Sequence, residues 1–224
     1  MPEEDEKIIW FIDNEENQLR TYSRHLERAL ETWLGEDRQV VVRELKAFPH
    51  KEQYLKILED PRTVSFLIDQ VLKDKGGVDH TGIELAQYLR QIDDIMPIYI
   101  LTNYPQGDEY AEGEWSVEYI INKRDIGDSE EKRKVVISRL VRRIRGFNNI
   151  RSEREARFRE LLRKSLNDEL TTSENHELEE LEFSRSAATL ATEQAEMARP
   201  EPVDEFLQQL EKIRQIVESF EKDD

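Results

Sequence analysis

Four residues of this 224-residue chain have side chains that could act together on a phosphoryl group: Asp13, Asp69, Thr102 and Lys123. Carboxylates are oxygen ligands for magnesium, which keeps several waters and usually takes one or two protein carboxylates. An aspartate can also be the nucleophile and become an aspartyl phosphate. A lysine ammonium offsets charge on a phosphoryl oxygen, and a threonine hydroxyl can hydrogen-bond one. The four stand 56, 33 and 21 positions apart. Only a fold that returns to one place several times can gather them.

The elements expected from hydrophobic patterning do return. "KIIWFID" (7–13), "RQVVVREL" (38–45), "TVSFLID" (63–69), "PIYILT" (97–102) and "SVEYIIN" (116–122) read as strands. Between and after them lie helical patterns at 15–35, 50–60, 83–92 and 129–147, with a polar, weakly helical stretch at 103–115. Strands 1, 3 and 4 are apolar on both faces, as in a parallel sheet covered by helices on both sides. Five strand–helix units imply a doubly wound α/β sheet, in which ligands bind outside the carboxyl ends of the strands. Asp13, Asp69, Thr102 and Lys123 all fall at such ends. A carboxylate closing the apolar run "SFLID" is costly unless something there uses it.

The pieces "FIDNEE", "FLIDQVL", "DHTGIELAQYLR", "PIYILTN" and "YIINK" occur in this order over residues 7–147, about two thirds of the chain. This region resembles the receiver domain of bacterial two-component response regulators. The resemblance implies a flavodoxin-like five-stranded parallel sheet of order 2-1-3-4-5. It also implies Asp69 as phosphoacceptor, with Thr102 and Lys123 contacting the phosphoryl group. Magnesium would be held by Asp13, Asp69 and the backbone carbonyl of Val71. A histidine kinase or phosphotransfer protein is the implied donor.

Three positions depart from that pattern. The second acid expected at the end of strand 1 is Asn14, with Glu15 next to it as a possible replacement. Arg124 stands where a proline usually follows the lysine. The aromatic expected three residues before the lysine is Ile120, with Tyr119 one position earlier, an offset that changes the face of the strand unless a bulge intervenes. These departures support a second reading, a pseudo-receiver that binds proteins without being phosphorylated. A third reading is a haloacid-dehalogenase-like phosphatase, with Asp13 as nucleophile and Glu15 as general acid; it gives Asp69 no role. His176, in "NHELEEL", faintly resembles the phosphoacceptor of histidine kinases and reads more simply as a surface residue.

Composition narrows the partners. The net charge is -17 and there are no cysteines, which excludes thiol chemistry and disfavours DNA, RNA and anionic membranes as general partners. The acidic start is unlike a secretory or transit peptide, and no apolar run approaches a bilayer's thickness, so a soluble cytoplasmic protein is expected. Residues 129–164 carry 13 Lys and Arg against 5 Glu, a run expected to pair with acidic segments of the same molecule. Division into a receiver-like domain (1–148) and a helical module (149–224) for partner binding or self-association follows from the loss of strand signals. Helices are expected at 150–170, at 172–198 with Thr172 or Ser173 as cap, and at 203–220. In the last, Val203, Phe206, Leu210, Ile213, Val217 and Phe220 share one face.

Overall fold

The computed structural model describes residues 6–34, 40–73, 77–106, 110 and 113–198. Five strands, β1 (Lys7–Asp13), β2 (Val40–Lys46), β3 (Thr63–Asp69), β4 (Ile98–Thr102) and β5 (Tyr119–Asn122), form one parallel sheet in the order β2-β1-β3-β4-β5. All seven residues of β3 and all five of β4 are buried, whereas β2, at an edge, is mixed. That is why β3 and β4 read as continuous apolar runs. Right-handed crossovers in this order place α1 (Glu16–Leu34) on one face, and α2 (Leu55–Leu58) and α3 (Gly82–Ile92) on the other. α4 (Lys123–Gly127) follows β5 directly, and α5 (Glu130–Leu166) packs beside α1.

Local chemistry accounts for the expected boundaries that shift. The helix expected at 50–60 divides into a 3-10 turn, Lys51–Tyr54, and the single turn α2. Asp60 then folds back to accept the backbone N–H of Arg62, which ends the helix before β3. The fifth strand begins at Tyr119 rather than at 116. Ser116 closes a 3-10 turn, Glu114–Ser116, and donates its hydroxyl to the Gly113 carbonyl at 2.6 Å. Trp10 of β1 is half-buried against the core and donates its indole N–H to Thr63 Oγ1 at 3.0 Å.

The helices expected separately at 129–147 and 150–170 are one: α5 runs unbroken for 37 residues, through "GFNN" at 146–149. Gly146 in a helix interior costs about 1 kcal/mol relative to alanine. Burial of the neighbouring Phe147 stabilises by about 1.5–3 kcal/mol and holds the backbone helical. The Arg151 guanidinium stacks over that ring at 5.3 Å and reaches the carbonyls of Pro61 and Thr63 at the foot of β3.

After α5 the chain turns at Asp168, which adopts a left-handed conformation (φ 55°) of the kind that ends helices. Thr171, not Thr172 or Ser173, then caps α6 (Thr172–Met197), forming a capping box with Glu174. Basic residues of α5 meet acidic residues of α6, with Arg157 on Glu177 at 2.6 Å and Lys164 on Glu174 at 2.5 Å, and one pair runs the other way, Glu155 of α5 with Arg185 of α6 at 2.8 Å. α6 also leans on α2, where Thr192 donates to Glu59 at 2.7 Å. The helix expected at 203–220 lies outside the described residues. No helix among the described residues is long and apolar enough to cross a membrane.

Gly146 sits with nothing within 4 Å of where a Cβ would project. Gly146→Ala should therefore raise unfolding free energy by about 0.5–1 kcal/mol in chemical denaturation. Phe147→Ala should lower it by about 3–5 kcal/mol.

Candidate functional site

The carboxyl ends of β1, β3 and β4 and the start of α4 surround a cavity of about 250 Å³. Asp13, Asn14, Glu15, Asp69, Val71, Thr102 and Lys123 all line it. Parallel pairing in register sets this convergence. Asp69 sits beside Leu101 on β4, one residue short of Thr102, and Thr102 pairs with Asn122, one residue short of Lys123.

Lys123 joins the acids. Its ammonium is 2.7 Å from Asp69 Oδ1 and 3.2 Å from Asp13 Oδ2. All three are buried, Asp13 at 1 % exposure and Asp69 and Lys123 at 5 %. The other oxygen of each acid accepts a backbone N–H: Glu15 onto Asp13 and Val71 onto Asp69. Burial pushes the Asp13 carboxyl above its ordinary range, and the Asp69 charge adds to this, outweighing Lys123. Burial works against the charge on Lys123, but Asp69 and Asp13 together prevail and raise its pKa. With both carboxylates ionised, the triad has one negative charge more than Lys123 balances.

Backbone devices hold these groups in place. Gly82, the first residue of α3, passes so close to β3 that a Cβ there would lie 2.3 Å from the Asp69 carbonyl oxygen. Gln70 ties the same contact by accepting the Ile83 N–H. The entry to α3 is fixed by a capping box between Thr81 and Glu84. The Glu84 carboxyl is held down to about 2: burial would raise it, but Lys73 and the Thr81 N–H and hydroxyl lower it more. Thr102 Oγ1 accepts the Tyr104 N–H at 3.1 Å, a bond that does not use its own proton.

Each departure noted in the sequence has a structural counterpart. The Asn14 amide donates to the Leu72 carbonyl at 2.9 Å, linking the loop after β1 to the loop after β3. An ionised aspartate has no proton to donate there. Arg124 donates its backbone N–H to the Asn122 side chain, the cap of α4, a bond that proline cannot make. β4 and β5 pair without a bulge, so Tyr119 keeps the offset position. Its ring is half-exposed and packs under Arg139 of α5 at 5.0 Å.

Gln18, Asn103 and Tyr104 also line the cavity, though no sequence signal marked them. Tyr22 was legible only as part of the apolar stripe of α1. Its ring is 5.5 Å from the Lys123 ammonium and edge-on to Phe11, so it packs against the lysine as well as the core. Among the described residues no group of three His, Asp or Glu gathers that could hold a metal ion. Asp13 and Asp69, which meet at the triad, could donate to a magnesium ion, with the Val71 carbonyl as the resemblance implies and Glu15 on the same cavity. The two aspartates fit a cation that takes one or two carboxylates and fills its remaining positions with water. The unbalanced negative charge of the triad favours the same kind of ion.

The strand order β2-β1-β3-β4-β5 is the one that the resemblance implied. No family model and no curated protein matches the chain. Its structure is similar to the BeF3-activated DrrB receiver domain, with 16% identity, 62% of this chain and 98% of that one covered, and a TM-score of 0.43. It is also similar to the non-phosphorylated HemR receiver domain from Leptospira biflexa, with 18% identity, 62% and 94% covered, and a TM-score of 0.40. For the response regulator TrrA from Thermotoga maritima the figures are 19% identity, 58% and 96% covered, and a TM-score of 0.38. These likenesses are too distant to carry activity from one protein to another.

Removing the cation of the triad should expose its balance. Lys123→Met leaves two buried carboxylates facing each other, and in metal-free buffer should cost about 3–5 kcal/mol at neutral pH. Without Lys123 the raised Asp13 pKa rises further, so the folded variant holds a proton that the unfolded chain releases. The loss should therefore shrink as pH falls toward 4 and grow as pH rises through that titration, in denaturation followed at several pH values. Gly82→Ala should cost about 1–3 kcal/mol by forcing α3 off the Asp69 carbonyl.

Proposed function

We propose that this protein is a receiver-type signalling module that accepts a phosphoryl group on Asp69. The observation that carries this reading is the Lys123 ammonium, buried between Asp69 and Asp13 at the carboxyl edge of the sheet, with Thr102 on the same cavity. In the reaction, an Asp69 carboxylate oxygen attacks phosphorus, the bond from phosphorus to the donor breaks, and the donor leaves with its electron pair. Lys123 would offset charge on the arriving oxygens, and the Thr102 hydroxyl would donate to one of them. Magnesium held by Asp13, Asp69 and the Val71 carbonyl would supply further charge compensation when bound. Because Asn14 is committed to the Leu72 carbonyl, the set has one acid fewer than usual and magnesium binding should be weak. A histidine kinase or phosphotransfer protein is the expected donor.

The output would be mechanical. Lys123 is the first residue of α4, and Arg133 of α5 donates to the Ile126 and Gly127 carbonyls at the other end of α4. A change in the position of Lys123 thus bears on α5, and through it on the helical part at 149–224, the proposed interaction module. DNA is a poor candidate for the output, since residues 151–224 hold 11 basic and 20 acidic side chains.

One observation favours the pseudo-receiver reading: the Lys123 bridge already engages both acids without a ligand, and Asn14 adds no charge. The phosphatase reading is less well served. Asp13 is buried against Lys123, and Asp128, which would complete such a site, follows α4 rather than ending a strand.

Incubation with acetyl phosphate and magnesium, read by intact mass, separates the three. The proposal expects one added phosphoryl group, absent in Asp69→Ala and retained in His176→Ala. A mass unchanged at saturating acetyl phosphate, together with no tryptophan-fluorescence response to beryllofluoride, would leave the pseudo-receiver. Phosphate release that persists in Asp69→Ala and vanishes in Asp13→Ala would establish the phosphatase.

A further inference from the structure

Tyr22 does not line the cavity, yet it meets the lysine that does. It lies one helical turn beyond Gln18, a cavity residue, so α1 turns both side chains to the same side. The Lys123 ammonium lies over the Tyr22 ring, 5.5 Å from its centroid. Two further contacts fix that ring. Phe11 of β1 meets it nearly at right angles, with centroids 6.4 Å apart. A Cβ at Gly127, the last residue of α4, would come within 3.8 Å of Tyr22 Cε1. The ring therefore lies against both ends of α4 and against the core. Burial raises the pKa of its phenol further than Lys123 lowers it, so at neutral pH the side chain is no anion. What draws the ammonium to it is a neutral π face, and that attraction is strongest where water is excluded, as it is around the buried Lys123.

We propose that Tyr22 is a positioning residue, whose ring face holds the Lys123 ammonium in place for phosphoryl transfer to Asp69. This role deepens the phosphoacceptor reading of Asp69 and rests on it. In the free site the ammonium bridges Asp69 at 2.7 Å and Asp13 at 3.2 Å. As an Asp69 oxygen bonds to phosphorus and the bond from phosphorus to the donor breaks, negative charge passes from the carboxylate to the phosphoryl oxygens. The ammonium must then turn from a carboxylate oxygen to a phosphoryl oxygen without being drawn off to Asp13. A π face suits that task. It attracts the charge but claims none of the three protons in a fixed direction, so the ammonium can turn while it stays over the ring. An alkyl side chain would fill the same space and offer no such attraction.

A graded series tests this in full-length protein with acetyl phosphate and magnesium, read by intact mass. Mono-, di- and trifluorophenylalanine at position 22 weaken the π face stepwise at nearly constant shape, and labelling at Asp69 should slow at each step. Tyr22→Leu, which removes the face, should slow it about five- to thirtyfold, while Tyr22→Phe, which keeps it, should stay within about twofold of the unsubstituted protein. The Lys123 ε-methylene protons give a second reading that needs no phosphoryl donor. In NMR spectra of donor-free protein, ring shielding should displace them upfield in the unsubstituted protein and in Tyr22→Phe. The displacement should fall along the fluorine series and vanish in Tyr22→Leu. Rates that stay flat across the fluorine series, or that are equal in Tyr22→Leu and Tyr22→Phe, would show that the ring only fills space and would overturn the proposal. Unshielded ε protons in the unsubstituted protein would overturn it too. Absence of labelling in the unsubstituted protein is a different result: it ends the phosphoacceptor reading, and the role in transfer with it, even where the shielding persists.

Discussion

A buried lysine between two buried aspartates is the interaction on which the site depends. Coulomb attraction at 2.7 and 3.2 Å offsets the desolvation of three charges, but one cation cannot balance two anions. Burial, with the Asp69 charge adding to it, raises the Asp13 pKa in spite of Lys123. Such a triad gains little for stability over apolar residues of similar size, so its placement at the sheet's ligand-binding edge is better understood through what it can receive. With a divalent ion in place, the pocket would carry net positive charge and would then favour an oxyanion.

Backbone contacts keep this unbalanced cluster from relaxing. Asp69 is pinned from three sides: Val71 donates to its carboxylate, β4 pairs with its backbone, and Gly82 brings the start of α3 against its carbonyl. Lys123 is pinned because it opens a helix that Asn122 caps, with the Tyr22 ring 5.5 Å from its ammonium. Asn14 exchanges a carboxylate for a hydrogen bond that fastens one loop of the site to another. The exchange makes the cavity stiffer and less negative together. Its effect on ligand binding is therefore the difference between better preorganisation and weaker cation attraction.

Much of this was legible in the sequence because parallel sheets write plainly. β3 and β4 are buried on both faces and appear as unbroken apolar runs, and a polar residue ending each run marks the edge where the strands stop. Asp69 and Thr102 could be placed together for that reason. Boundaries set by side-chain hydrogen bonds were not legible. Ser116 delays β5 by bonding Gly113, and Asp60 truncates α2 by bonding Arg62. The continuity of α5 was hidden by Gly146 and two asparagines, local signals that the burial of Phe147 overrides. Tyr22 illustrates a further limit: helical periodicity assigns a residue to a face, but which charge waits on that face depends on an element one hundred residues later.

The unbroken α5 also changes what the helical part can do. Had the helix stopped near Phe147, the tail would hang on a joint, free to move without reference to the sheet. Instead the same helix that accepts the packing of α1 carries on to Leu166, and Arg151 anchors it to the foot of β3 midway. α6 then returns along α2 and α3 through its contacts with Glu59 and Lys56. The tail is thus a clasp with two attachments, α5 on the face of the sheet that α1 covers and α6 on the other. Displacement of α4 by a ligand at Lys123 would act on one attachment only. A clasp loaded at one end responds by shifting where its other end rests, so the contact of α6 with α2 and α3 is the place where a signal from the cavity would become visible outside.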